Sequence, residues 1–174
     1  KLFESDLNPV FTCLSNNYRH KDPPKLNVAF LDIETDVDPS RGFAKPNDPF
    51  MMVNAVSIYL QWEETMVTLA VPPSSMAFED AEQLVSEIPN VFLFKNDAKL
   101  IEVFLDLIKD ADVLSGWNSS SFDIPYLVNR TIKVLGKDYI SKFCLWDQQP
   151  IRREYEQYGK TTFTYDLVGR VHLD

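Results

Sequence analysis

Several things are missing from these 174 residues. No apolar run approaches the roughly 18 residues that a bilayer crossing needs. The opening KLFESDLNPV lacks the basic-then-apolar layout of a secretory leader. Membrane insertion and export therefore find no support. Cysteine is scarce: Cys13 and Cys144 lie far apart, with no second thiol or histidine at metal-ligand spacing. That excludes a disulfide framework and predicts two reduced, buried thiols in a cytoplasmic protein. Positive charge is also short, since 17 Lys and Arg against 26 Asp and Glu leave a net charge of −9. Such a balance argues against gripping nucleic acid by bulk electrostatics. Repeats and low-complexity tracts are absent.

With 45% hydrophobic residues, the chain can bury a core as one domain. The acidity is uneven. From Val128 to Asp174 eight Lys and Arg face six Asp and Glu, a local +2, so the preceding 127 residues carry −11. Acidic charge that converges on one place is what a divalent-cation site requires; spread out, it is a solvated surface.

Residues 1–25 show no sustained period and end in KDPPK, where the proline pair marks a linker or extended arm. Val28 to Ile33 is apolar on both alternating faces, the pattern of a strand buried on both sides. After a loop rich in proline come VNAVSIYLQ and TMVTLAV, two antiparallel strands joined through WEE. FEDAEQLVSEI reads as a short helix and NVFLF as a short strand. DAKLIEVFLDLIKD is an amphipathic helix with Leu100, Ile101, Phe104, Leu105 and Ile108 on one face. ADVLSGWN is a further strand, and Ile124, Leu127, Val128, Thr131, Val134 and Leu135 repeat at helical spacing up to a stop at Gly136. The tail alternates β-formers around YGK, a hairpin with Gly159 in its turn. Strands first and helix–strand alternation afterwards predict a mixed α/β fold around one sheet.

Two stretches carry chemistry. NVAFLDIETDVD places Asp32 and Glu34 at the end of an apolar run. In a strand, residues two apart share a face about 6.5–7 Å from one another. That is too far for a proton-sharing dyad, but it suits carboxylates flanking a pair of metal ions about 3.5–4 Å apart; equally, they end a strand in water. GWNSSSFDIPYL sets Asp123 immediately before a helix, where it is either an N-cap or a third carboxylate aimed from a helix start. Asn118 is an Asx-turn residue or a substrate contact.

Taken together, DIET and NSSSFD resemble the first two exonuclease motifs of family B DNA polymerases, D-I-E and N-x-x-x-F-D. The surrounding SGWNSSSFDIPYLVNR is similar to that family's block nearly end to end, the hairpin falls where the family has one, and the likeness is greatest to tailed-phage replicative polymerases. The resemblance implies a ribonuclease H-like α/β fold, a mixed sheet flanked by helices with an appended β-hairpin. Residues 1–25 would lead in from an N-terminal domain, and 26–174 would form the exonuclease domain. It implies proofreading 3′→5′ hydrolysis of a single-stranded or frayed primer end, with Asp32, Glu34 and Asp123 holding two Mg2+ or Mn2+ ions and Ile33, Asn118 and Phe122 touching the primer terminus. The implied partners are the 3′ end of single-stranded DNA, the other polymerase domains and, through the whole protein, a sliding clamp. The implied setting is the cytoplasm, that of a host cell if a phage encodes the chain.

One departure matters. The family's third motif, Y-x-x-x-D, is not found: Tyr155, Tyr158 and Tyr165 are followed four residues on by Gly159, Thr162 and Gly169, and Asp166 and Asp174 have no motif support as substitutes. The expectation is therefore a domain that stops short of that motif, with a weak or empty metal site. No palm-domain carboxylate motif is present, so polymerisation is not expected of these residues. A non-catalytic strand-partition module, with Arg152, Arg153 and Lys160 separating strands, is an alternative that the retained carboxylates oppose. A haloacid-dehalogenase-like phosphatase also ends a strand on Asp, but it needs Asp where Glu34 stands and leaves NSSSFD unexplained.

Overall fold

The computed structural model describes residues 8–157 and 159–174; residues 1–7, Tyr158, and the side chains of Gln157 and Lys160 lie outside that description. Helix α1 is Pro9–Tyr18. The strands are β1 Val28–Thr35, β2 Val37–Asp38, β3 Gly42–Phe43, β4 Val53–Leu60, β5 Thr65–Ala70, β6 Val91–Leu93, β7 Val113–Ser115, β8 Ile151–Gln157, β9 Lys160–Asp166 and β10 Val171–Leu173. The remaining helices are α2 Phe78–Val85, α3 Asp97–Leu107 and α4 Asp123–Val134.

Six strands form one mixed sheet in the order β10-β7-β1-β4-β5-β6. Strand β1 is central, antiparallel to β4 and parallel to β7, and β7 is parallel to β10. This is the ribonuclease H-like mixed sheet flanked by helices that the family resemblance implies. The β8–β9 hairpin stands apart as its own two-stranded sheet, with Gly159 at φ 72° in its connection, a backbone value that glycine adopts without a Cβ penalty.

The core lies on one side of the sheet. Ala29, Leu31 and Ile33 face Leu60, Ile58 and Val56 across the β1–β4 ladder, and all six are buried. Leu100, Ile101, Phe104 and Leu105 of α3 and Ile124, Leu127 and Val128 of α4 close over them, as the helical periodicity requires. The other face of β1 is open, and Phe30 is 47% exposed. Burial on both sides, read from the apolar run, is therefore corrected. The helices cover one face, and alternation puts Phe30, Asp32 and Glu34 together on the other.

Two further expectations change. The segment before residue 26 contains a helix: Asn8 accepts from the Val10 amide and Pro9 opens the first turn, but α1 buries no residue, so no apolar stripe announced it. Cys144 is buried as expected, whereas Cys13, on α1, is exposed.

Buried polar groups fix the corners. Asp97 accepts from the Val53 amide at 3.1 Å and pairs with Arg130 Nε at 2.6 Å, and Arg130 Nη1 also donates to the carbonyls of Pro49 and Phe50. These bonds pin the 44–52 loop to α3 and α4. Arg170, buried just before β10, donates to the carbonyls of Ile108, Lys109 and Ala111 where α3 ends. It satisfies carbonyls that a helix C-terminus leaves free and sets a cation at the negative end of the dipole.

Arg130→Met leaves the Asp97 carboxylate, 7% exposed, without its cation. Removing one partner of a buried pair costs about 3–5 kcal/mol. Urea unfolding of the variant is expected to show a loss of that order, with the double change Asp97→Ala plus Arg130→Met recovering part of it.

Candidate nuclease site at the β1–β7 cleft

The site begins where two parallel strands separate. Strand β7 pairs with β1 only through Ser115, which lies opposite Phe30. At Gly116 the chain leaves the sheet so close to the Leu31 carbonyl that any Cβ there would collide with it. Beyond this point the β7 side of β1 has no strand neighbour, and its backbone groups need other partners. The Ile33 amide finds one in Asp123, whose Oδ1 accepts it at 3.0 Å. Openings at the carboxyl ends of parallel strands are where ligands sit in open α/β sheets.

Asp123 opens α4, but it does not cap it. The N-cap position belongs to Phe122, which makes no side-chain cap bond. The carboxylate instead crosses to β1, and the N-cap reading gives way to an inter-element bond. Asp123 is only 4% exposed. Burial is the main cause that pushes its pKa up from 3.8 to about 6, with the charges of Asp32 and Asp174 adding to it and the Ile33 amide opposing it. Asp32 and Asp123 thus lie within each other's field.

Asp32 and Glu34 are both exposed on the open face of β1. Their cross-strand neighbours on β4 are Ser57 and Ala55, small residues that leave the space beside the carboxylates unfilled. A register shift between Glu34 and Thr35 breaks the regular ladder here, as bulges beside sites often do. Among the described residues no three His, Cys, Asp or Glu side chains converge at metal-ligating separation. The structure places Glu34 on the same face as Asp32 and puts Asp123 within the field of Asp32. Ile33 is placed differently: its side chain is buried on the core face, 6% exposed, and what it presents toward α4 is its amide.

The loop between β7 and α4 holds the other expected residues. Asn118 is exposed, with φ 54°, a left-handed conformation that Asn tolerates, and its carbonyl accepts the Ser121 and Phe122 amides. The Phe122 ring is half-buried, 5.4 Å from that of Tyr126.

Supports of this loop were not evident in the sequence. Ser119 is fully buried and its hydroxyl donates to the Gly116 carbonyl at 2.8 Å. His172 Nε2 lies 2.8 Å from the Ser119 hydroxyl oxygen, whose proton is already given to Gly116, and must therefore be the donor to it. Burial pushes the His172 pKa down, against a smaller opposing effect of Asp174. Asp174 accepts from the Ser119 amide at 2.9 Å and from the Ser120 hydroxyl. His172 and Asp174 reach Ser119 and Ser120 across 53 to 55 positions, so no local spacing signals them. Asp166, by contrast, is occupied by Arg153 Nε at 2.7 Å on the hairpin.

A mixed sheet flanked by helices and opening at β1 and β7 is the architecture of a ribonuclease H-like domain. The family described as DNA polymerase family B, exonuclease domain, matches residues 4–174, and the chain belongs to it. It is 27% identical over 146 residues to the DNA-directed DNA polymerase of Escherichia phage RB69, covering 71% of this chain and 16% of that protein. To the DNA polymerase of Invertebrate iridescent virus 3 it is 33% identical over 107 residues, 53% of this chain and 9% of the relative. To the DNA polymerase delta catalytic subunit of Plasmodium falciparum it is 30% identical over 129 residues, 67% of this chain and 10% of the relative. The chain thus spans 9 to 16% of the length of these relatives. No helix among the described residues is long and apolar enough to cross a membrane.

Because Asp123 holds its proton more tightly in the folded than in the unfolded chain, stability falls as pH rises from about 4 to about 6. Asp123→Asn removes that loss. In metal-free buffer its melting temperature is expected to gain on the wild type by about 6–12 °C between pH 4 and 7, since a pKa raised from 3.8 to about 6 is worth about 3 kcal/mol and each kcal/mol moves the midpoint of a chain of this size by about 2–4 °C. Thermal melts of both proteins across that range check it.

Proposed function

We propose that this chain is the proofreading 3′→5′ exonuclease unit of a family B DNA polymerase, hydrolysing the 3′-terminal phosphodiester of single-stranded or frayed primer DNA. The observation that carries this reading is the Asp123–Ile33 bond, which draws a buried acid from the start of α4 to the strand that bears Asp32 and Glu34.

The donor set fits Mg2+ or Mn2+. It consists of carboxylate oxygens, the ligands such hard ions prefer, and burial has given Asp123 a raised proton affinity that a cation would relieve. Asp32, Glu34 and Asp123 would hold the ions, which when bound activate the attacking water and stabilise the leaving 3′ oxygen. The protein's own part is orientation. The Ile33 amide fixes Asp123, and the Asp174 and His172 bonds hold the loop that presents Asn118 outward to the terminal nucleotide. Phe122 supplies an apolar surface beside it. The other polymerase domains would lie in the same polypeptide, contact with a sliding clamp would come through the whole protein, and the setting would be the cytoplasm.

Calorimetric titration with Mn2+ tests the site, and digestion of a 5′-labelled single strand by the polymerase polypeptide carrying this chain tests the reaction. Asp32→Ala is expected to abolish the Mn2+ heat and to slow 3′-end shortening by about 100-fold or more, as loss of a charge-stabilising group does. Shortening that survives Asp32→Ala, or that starts from the 5′ end, would overturn the reading.

A further inference from the structure

The bonds between β10 and the loop 116–122 reach further than Asn118. Among the described residues, Trp117 to Phe122 hydrogen-bond beyond this loop and α4 only through Ser119 and Ser120, whose partners are His172 and Asp174. We propose that His172 and Asp174 are positioning residues for the nuclease reaction: acting through Ser119, they set where α4 begins and hence where the Asp123 carboxylate meets β1. This deepens the exonuclease reading and rests on it.

Ser119 is the pivot because each of its polar groups is engaged. Its amide donates to Asp174 Oδ1 at 2.9 Å. Its hydroxyl donates to the Gly116 carbonyl and accepts from His172 Nε2, both at 2.8 Å. Its carbonyl accepts the Ile124 amide at 3.0 Å. That last bond bears on Asp123. A helix leaves its first four amides without partners, and a side chain at the N-cap ordinarily answers one of them. Here Phe122 holds that position without a cap bond, and the Asp123 carboxylate has gone to the Ile33 amide instead. The Ser119 carbonyl therefore does the capping, one residue beyond Asp123, and fixes the turn from which that carboxylate projects.

The loop does not hold Ser119 in place by itself. It doubles back on its own start, so that a Cβ on Gly116 would stand 3.1 Å from that of Ser119, and its internal bonds are local and move with it. The outside reference comes from the sheet. His172 lies on β10, which pairs with β7, and β7 pairs with β1, so Ser119 is tied to the same frame that carries Asp32. Burial pushes the His172 pKa down, so near neutral pH the ring is uncharged and its one proton sits on Nε2, toward Ser119. Partners that orient a metal-ligating side chain from behind are worth about 10–100-fold in affinity or activity when lost.

Two readouts test this. In metal-free buffer the Ile33 amide resonance of this chain, followed by nitrogen–proton correlation NMR, reports the Asp123 bond directly. His172→Phe keeps a ring but removes the donor, and is expected to move that resonance upfield. His172→Gln, whose amide donates in place of Nε2, is expected to leave it where it is. With Mn2+ and a 5′-labelled single strand, the polymerase polypeptide carrying His172→Phe is expected to lose about 10-fold in kcat with KM unchanged, and His172→Gln to recover most of that loss. Ser119→Ala takes away the oxygen from the other side and is expected to give both effects of His172→Phe, so the result does not depend on how a phenyl ring packs. An Ile33 resonance unmoved in His172→Phe and Ser119→Ala, an unchanged kcat, or a Gln variant as impaired as the Phe variant overturns the proposal. Failure of the exonuclease reading shows separately, as no 3′-end shortening by the wild type while the Ile33 resonance still responds to His172.

Discussion

The hydrogen bond between the Asp123 carboxylate and the Ile33 amide is the constraint on which the site depends. Its origin is the early exit of β7 at Gly116, which leaves a central strand with an unanswered donor. A neutral acceptor would satisfy that donor as well. A carboxylate satisfies it while placing a second acid in the field of Asp32, and burial, more than that field, pushes the pKa of Asp123 up. A sheet that kept β7 paired for two more residues would have no cleft and no need of Asp123. The backbone accounting of one strand and the assembly of an acidic site are thus one event.

Around that bond the architecture is held by polar side chains that reach for backbone as well as for each other. Arg130 and Asp97 anchor the 44–52 loop, Asn129 and Tyr165 tie the loop to the hairpin, and Arg170 closes the end of α3. Each uses a polar side chain to satisfy groups that irregular chain would otherwise leave orphaned. The consequence is that the loops flanking the cleft are as firmly referenced to the core helices as the strands are.

Much of this was legible in the sequence. The periodicity of Leu100, Ile101, Phe104 and Leu105 placed α3, and the alternation through VNAVSIYL and TMVTLA placed β4 and β5, because burial against a sheet leaves a regular trace. The candidate carboxylates were legible for a different reason, since Asp32 and Glu34 interrupt an apolar run. Other features left no trace. Helix α1 buries nothing, so it had no stripe to show. The apolar Phe30 concealed which face of β1 was open, because hydropathy does not record what lies above a sheet. The bonds of Asp123 to Ile33 and of Asp174 to Ser119 join residues 90 and 55 positions apart, and only the fold brings them into register.

The position of β10 has a consequence for how the molecule comes into being. Arg170, His172 and Asp174 come more than fifty residues after the end of α3 and the loop that carries Ser119 and Ser120, yet they complete both. During synthesis, β1, β4 and β5 can pair as soon as they emerge, since neighbours in sequence are neighbours in the sheet. The acidic cleft cannot settle until more than fifty further residues have left the ribosome and β10 has docked beside β7. A nascent chain therefore gains its scaffold early and its reactive centre late, and a ribosome that stalls between the two leaves a folded meander whose nuclease loop is still unformed.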